Sequence, residues 1–145
     1  MISKTQPQNF NPKYQVVSCF CENEGKFLML QRNAEKSAGD KWGLPAGKME
    51  NNESLEEAIM RELLEEVSLA SEGLELLYHS KYYVEHYGYQ IVFHVFRTDL
   101  DDPSKVKLNK NENQSLLWVT PEESVELDLV EEQETVIRQM YDVSA

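Results

Sequence analysis

A run of glutamates near the middle of the 145-residue chain constrains its fold more than any other feature. Ser54 followed by Glu57 is a capping-box pattern, which predicts a helix from Leu55 to about Val67. Residues 50–66 hold seven glutamates: Glu50, Glu53, Glu56, Glu57, Glu62, Glu65 and Glu66. A helix this acidic must either expose its carboxylates to water or provide them with a positive partner.

The position of each glutamate around the helix bears on that choice. With about 100° per residue, the apolar residues form one stripe that faces the core: Leu55, Ile59, Leu63 and Val67. Glu62 and Glu66 fall at the edge of this stripe, within roughly 20° of Leu55, and Glu65 lies farther out, at about 80°. Carboxylates so placed repel one another and lose hydration, and Mg²⁺ would offset that cost. The spacing alone leaves two interpretations open, a solvated acidic face and a metal site at this edge.

The segment before the helix carries a second pattern. Trp42–Pro45 is predicted to be a short strand, and Gly47 is predicted to lie at a turn from which its carbonyl could bind a cation. From there the sequence reads Gly47-x5-Glu53-x7-Arg61-Glu62-Leu63-x-Glu65-Glu66-x-Ser68-Leu69. This resembles the Nudix box, Gly-x5-Glu-x7-Arg-Glu-aliphatic-x-Glu-Glu-x-Gly-aliphatic. The one departure is Ser68, which stands where the family has a C-capping glycine and costs about 1 kcal/mol if its φ is positive.

The resemblance implies a set of site residues. It places Mg²⁺ or Mn²⁺ on Glu62, Glu65 and Glu66, together with Gly47, and pairs Glu53 with Arg61 so that the loop is held against the helix. Nudix enzymes often add a carboxylate from a late loop that precedes a strand containing tryptophan. Glu112, six residues before Trp118, fits that role as a metal ligand or base. The general base stays open among four residues: Glu62, Glu65, Glu66 and Glu112.

Two basic residues are candidates for phosphate binding. Arg32 ends a predicted strand and Lys48 follows Gly47, and both positions match basic residues that bind phosphate in MutT-type Nudix enzymes. The alternative for each is an ordinary solvated side chain.

The resemblance implies a metal-dependent hydrolase that splits a nucleoside diphosphate linked to another group. We expect a nucleoside triphosphate, normal or modified, to be the substrate. ADP-sugars are less favoured because residues 70–102 lack the proline common in ADP-ribose hydrolases of the family. Tyr87 stands where dinucleoside polyphosphate hydrolases tend to carry a tyrosine, but tyrosines are dense nearby. A nucleotide-sensing Nudix-like domain without catalysis, and an acidic partner-binding domain, are the rival classes.

Composition limits the partners. A formal net charge of −12 repels phosphate backbones, so a small nucleotide rather than a nucleic-acid polymer is the expected partner. No apolar run is long enough to span a membrane, and the first residues lack the apolar core of a signal peptide, so we expect a cytoplasmic protein with no membrane partner. A homodimer is left open.

We expect residues 1–145 to form a single Nudix domain. Strands are predicted at Tyr14–Cys21, Lys26–Arg32, Leu74–Glu85, Tyr89–Thr98 and Leu116–Thr120, and a last helix at Leu129–Tyr141. Residues 99–114 are predicted to be a polar loop. This order gives an α+β fold, an α/β/α sandwich in which helices flank a mixed β-sheet, which is also the fold that the resemblance implies.

Overall fold

The computed structural model describes residues 1–86 and 88–144, so Tyr87 lies outside the described residues. Within them, the strands are β1 (Ile2–Ser3), β2 (Tyr14–Asn23), β3 (Lys26–Arg32), β4 (Trp42–Gly43), β5 (Ala46–Lys48), β6 (Leu77–His86), β7 (Tyr89–Asp99) and β8 (Asn113–Val119). The helices are α1 (Leu55–Val67), α2 (Pro121–Ser124) and α3 (Gln133–Tyr141), with a 3₁₀ turn at Pro103–Lys105. None of these helices is long and apolar enough to cross a membrane.

The strands form one mixed sheet in the order β1-β6-β7-β2-β3-β4, with β5 paired to β2 and β8 paired to β3. The β2–β7 pair is parallel, and the other pairs are antiparallel. Helix α1 packs on one face through Ile59 and Leu63, and α3 packs on the other through Val136 and Ile137. The predicted mixed sheet flanked by helices is confirmed.

Strands β2 and β3 leave a cleft because they pair only at their turn. Their ladder consists of Glu22 with Phe27 and Asn23 with Lys26, and beyond it the strands separate. Strand β2 then pairs with β5, whereas β3 pairs with β4 and β8. The opening between these two groups of strands places the start of β5 beside α1.

Alternation along β2 and β3 fills both hydrophobic layers. Cys19 and Cys21 face α1, whereas Phe20, between them, faces α3. Both cysteines are free and buried, as expected for small core residues.

Helix α1 has the predicted bounds and the predicted cap. Ser54 Oγ accepts the backbone N–H of Glu57 at 3.1 Å, and the Glu57 side chain accepts the N–H of Ser54 at 2.9 Å. At the other end Ser68 adopts the left-handed conformation, with φ 62° and ψ 26°. Its hydroxyl donates to the carbonyl of Lys107 at 3.1 Å. Serine therefore occupies a glycine conformation and gains one hydrogen bond in return.

Three predictions of local structure were wrong in part. The last helix begins at Gln133 rather than Leu129, because Trp42 pairs with residues 128–130 and Glu132 takes a positive φ of 74°. The polar loop at 99–114 buries Leu100 and packs Val106 and Leu108 against the core.

The third difference from prediction concerns the position of Gly47. This residue lies in strand β5, where it pairs with Val17, and not at a turn. A Cβ at this position would overlap the carboxyl group of Glu62. Glycine is required here for close approach of the backbone to that side chain.

Replacing Ser68 with glycine should stabilise the protein by about 0.5 kcal/mol, because relief of the left-handed strain exceeds the loss of one exposed hydrogen bond. Ser68→Ala is the matched control, since it loses the hydroxyl but keeps Cβ, and it should be slightly destabilising. Urea unfolding of the three proteins measures both effects. A glycine variant no more stable than the alanine variant would contradict this account.

Candidate active site

Two glutamates of α1 are buried where the helix faces β5. Glu62 and Glu66 are 8% and 7% exposed, whereas Glu65 points outward with more than half of its side chain exposed. The two buried residues are those predicted at the edge of the apolar stripe, and the exposed residue is the one predicted farther from it. Burial of carboxylates is costly unless they accept hydrogen bonds or pair with a positive charge.

Arg61 is the positive partner that the structure provides. Its Nε and Nη2 donate to the two carboxylate oxygens of Glu53 at 2.6 and 2.9 Å, and its Nη1 donates to Glu62 Oε1 at 2.8 Å. Nη2 also donates to the carbonyl of Lys48 at 3.0 Å. These bonds lower the pKa of Glu53 to about 2 and raise that of Arg61. The arginine therefore ties the loop before α1, and the end of β5, to the helix.

Glu66 is held by donors from two other elements. Its Oε1 accepts the backbone N–H of Ala46 at 2.9 Å, and its Oε2 accepts Nδ2 of Asn113 at 3.1 Å. Burial nevertheless raises the pKa of Glu66 to about 8, assisted by the charges of Glu62 and Glu112. Burial raises the pKa of Glu62 as well, although Arg61 opposes it.

Glu112 is exposed just before β8, and its charge raises the pKa of both buried glutamates. Glu62, Glu66 and Glu112 therefore share one electrostatic environment, with Glu65 at its outer edge. In the described residues, no three acidic, histidine or cysteine side chains already stand in the arrangement of a metal site. The donor set nonetheless fits a divalent cation that prefers oxygen, because a cation would neutralise buried carboxylates that repel one another.

The cleft between the diverging strands reaches Glu66. It has a volume of about 880 Å³, and Gly47, Glu66 and Asn113 line one part of it. Both predicted phosphate-binding residues, Arg32 and Lys48, line it too. Its apolar lining includes Val16, Leu44, Ile91, Phe93 and Val136. A cavity of this size, with charge in one part and apolar walls in another, has the properties of a small-molecule site.

The two basic residues have neighbours that set their directions. Arg32 Nε donates to the carbonyl of Ser37 at 2.7 Å, and Lys48 Nζ lies 4.2 Å from the centroid of the Tyr14 ring. Tyr14 also lines the cleft, and its hydroxyl donates to that of Tyr89 at 3.3 Å. Lys48 is thus held over an aromatic face at the mouth of the cleft.

Sequence reasoning missed Asn113 and the N–H of Ala46, the two donors to Glu66. Ala46 lies between the predicted strand at Trp42–Pro45 and the predicted turn at Gly47, and Asn113 lies in the predicted polar loop at 99–114. Neither donor can be identified from the sequence without knowing which strands surround α1. The adjacency of Asn113 to Glu112 was the only local signal.

A NUDIX domain model matches residues 12–140 of the chain. The CTP pyrophosphohydrolase of Escherichia coli K12 is 32% identical over 116 residues, which are 79% of this chain and 82% of that protein. An RNA pyrophosphohydrolase of Pasteurella multocida is 36% identical over 66 residues, 46% of this chain and 31% of that longer protein. The crystal structure of a MutT protein from Methanosarcina mazei Go1 has a TM-score of 0.75 and 25% identity, and the match covers 90% of this chain and 94% of that one.

The raised pKa of Glu66 predicts how stability depends on pH without metal. Between about pH 4.5 and 8 the folded protein holds a proton that the unfolded chain has released, so stability should fall as pH rises through this range. Glu66→Gln removes that proton equilibrium and should be more stable than the wild type at pH 8.5 by roughly 1–3 kcal/mol. Urea unfolding in excess chelator at pH 6 and 8.5 measures the difference.

Glu56→Gln is the matched control, since it removes one charge from an exposed position of the same helix. It should leave the dependence on pH as in the wild type. If the free energy of unfolding changed equally with pH in the wild type and in Glu66→Gln, Glu66 would have an ordinary pKa and the prediction would be wrong.

Proposed function

The chain belongs to the Nudix family of hydrolases that act on pyrophosphate bonds, and from this we propose that it converts a nucleoside triphosphate to the monophosphate and pyrophosphate with a bound divalent cation. The observation that carries the proposal is the pair of buried carboxylates beside a cleft of about 880 Å³: Glu66 lines this cleft, and Glu62 lies against Gly47, which lines it too. Likeness to a CTP pyrophosphohydrolase supports a nucleoside triphosphate over other pyrophosphate compounds.

The reaction breaks one phosphoanhydride bond. The oxygen of water bonds to phosphorus, the bond from that phosphorus to the bridging oxygen breaks, and pyrophosphate leaves as an anion. A divalent cation, Mg²⁺ or Mn²⁺, would neutralise phosphate charge and acidify the water. We propose that Glu62, Glu65 and Glu66, with the carbonyl of Gly47, hold it.

The remaining residues position the substrate and accept the proton. Arg32 and Lys48 line the cleft and can contact phosphate oxygens. Arg61 and Glu53 keep β5 against α1, which fixes Gly47 beside Glu62. We propose Glu112 as the base because it is exposed and its charge acts on the buried pair. In that pair, Arg61 already donates to Oε1 of Glu62, and both oxygens of Glu66 accept hydrogen bonds.

Activity should require the cation and a triphosphate. In a panel of natural and oxidised nucleoside triphosphates, ADP-ribose and dinucleoside tetraphosphate, a triphosphate should turn over fastest and release pyrophosphate rather than phosphate. Chelator should abolish turnover, and Glu65→Gln should lower kcat by roughly 10²-fold because it removes one charge that neutralises the cation. Glu56→Gln, on the exposed face of the same helix, should keep wild-type kcat. Full turnover in excess chelator would exclude the proposed chemistry.

Removing the proposed base should affect kcat more than KM. Glu112→Gln keeps the size of the side chain and should lower kcat by roughly 10²-fold across pH 6–9, with KM little changed. Stability should stay within about 0.5 kcal/mol of the wild type, as expected for an exposed position. Glu122→Gln, an exposed acid of α2, is the control. A Glu112 variant with wild-type kcat would place the base on α1.

A further inference from the structure

The loop that carries Glu112 is attached to the C-terminal end of α1. The backbone N–H groups of Lys107 and Asn109 donate to the carbonyls of Val67 and Glu66, each at 2.9 Å. Nδ2 of Asn109 donates to the carbonyl of Glu65 at 3.0 Å. These bonds fix residues 107–109, but they end three residues before Glu112.

A buried asparagine holds the rest of the loop. Asn33, which is 8% exposed, directs Nδ2 to the carbonyls of Lys110 and Asn111 at 3.1 and 3.0 Å. Its own backbone N–H donates to the carbonyl of Glu112 at 2.9 Å. One residue thus binds three successive carbonyls of the loop, the last of them belonging to Glu112.

Asn33 acts where the strand ladder becomes irregular. The β3–β8 register shifts between Gln31, paired with Ser115, and Arg32, paired with Asn113. Beyond Arg32 the side-chain amide continues the contact between the two segments. An amide suits this place because its nitrogen carries two donors, which a carboxylate, a hydroxyl or an alanine methyl group cannot supply together.

We propose that Asn33 is a positioning residue that holds the carboxylate of Glu112 beside the cation site of α1. The proposal rests on the proposed function in one respect, since Glu112 must act together with a cation. The charge of Glu112 already acts on Glu62 and Glu66, so displacement of the loop would weaken the field that attracts the cation. Asn33 itself contributes no charge.

The test is Mn²⁺ affinity, which requires no substrate. Asn33→Ala and Glu112→Gln should each weaken Mn²⁺ binding by roughly 10-fold, as loss of an outer-shell partner does in other metal sites. If Asn33 acts through Glu112, the double variant should bind Mn²⁺ no more weakly than Glu112→Gln alone. Binding is measured by titration of the metal-free protein.

Asn23→Ala is the matched control, because Asn23 Nδ2 likewise ties the loop at its other end, to the carbonyl of Leu100 at 2.7 Å. It should keep wild-type Mn²⁺ affinity. Asn33→Ser retains one donor and should give an intermediate loss of affinity, and it replaces the alanine variant if that variant does not fold.

Two results would overturn the proposal. One is wild-type Mn²⁺ affinity in the folded Asn33 variants. The other is a double variant whose fold-loss of Mn²⁺ affinity equals the product of the fold-losses of the two single variants. Failure of every nucleotide in the panel would contradict the proposed reaction instead, and the Mn²⁺ comparison would still decide the role of Asn33. In assays with an active nucleotide, Asn33→Ala should lower kcat when it is introduced into the wild-type protein, but not when it is introduced into the Glu112→Gln variant.

Discussion

Two buried carboxylates require hydrogen-bond donors or positive charges beside them, and this requirement determines which elements surround the site. Glu62 takes its partner from the adjacent residue of its own helix, Arg61, whereas Glu66 takes donors from β5 and β8. Strands β5 and β8, which are far apart in sequence, therefore meet at one turn of α1. Their donors compensate only part of the burial, because the pKa of Glu66 is still raised to about 8. A site that remains short of positive charge is prepared to receive a cation.

Gly47 and Arg61 have complementary roles in this arrangement. Gly47 has no side chain, so β5 can lie against the carboxyl group of Glu62. Arg61 then fastens the same strand by its bond to the carbonyl of Lys48 and fastens the loop by its paired bonds to Glu53. Three charged residues of the Nudix box thus bind the backbone directly in this chain: Glu53 and Glu66 accept backbone N–H groups, and Arg61 donates to a backbone carbonyl.

The helix and its carboxylates could be predicted from the sequence because their signals are local. The capping box fixed the start of α1, and the apolar stripe separated Glu62 and Glu66 from Glu65. Features that depend on distant partners could not be predicted in this way. Residues 129–132 look helical, but Leu129 and Val130 pair with Trp42. The loop at 99–114 looks solvated but buries Leu100. Likewise, neither the strand position of Gly47 nor the contact between Asn33 and the loop has any signal within a few residues.

The parallel pair of β2 and β7 has a consequence for how the chain folds. Its ladder pairs Ser18 with Val95, 77 positions later in the chain, and β8 comes later still. Closing a segment of that length costs chain entropy before any contact repays it, so folding should be slow relative to that of helical proteins of this size. Helix α1 carries its own capping signals, yet the donor Asn113 arrives only after β8 has docked on β3. Until then Glu66 lacks this donor, so we expect the proposed cation site to be completed only in the last stage of assembly.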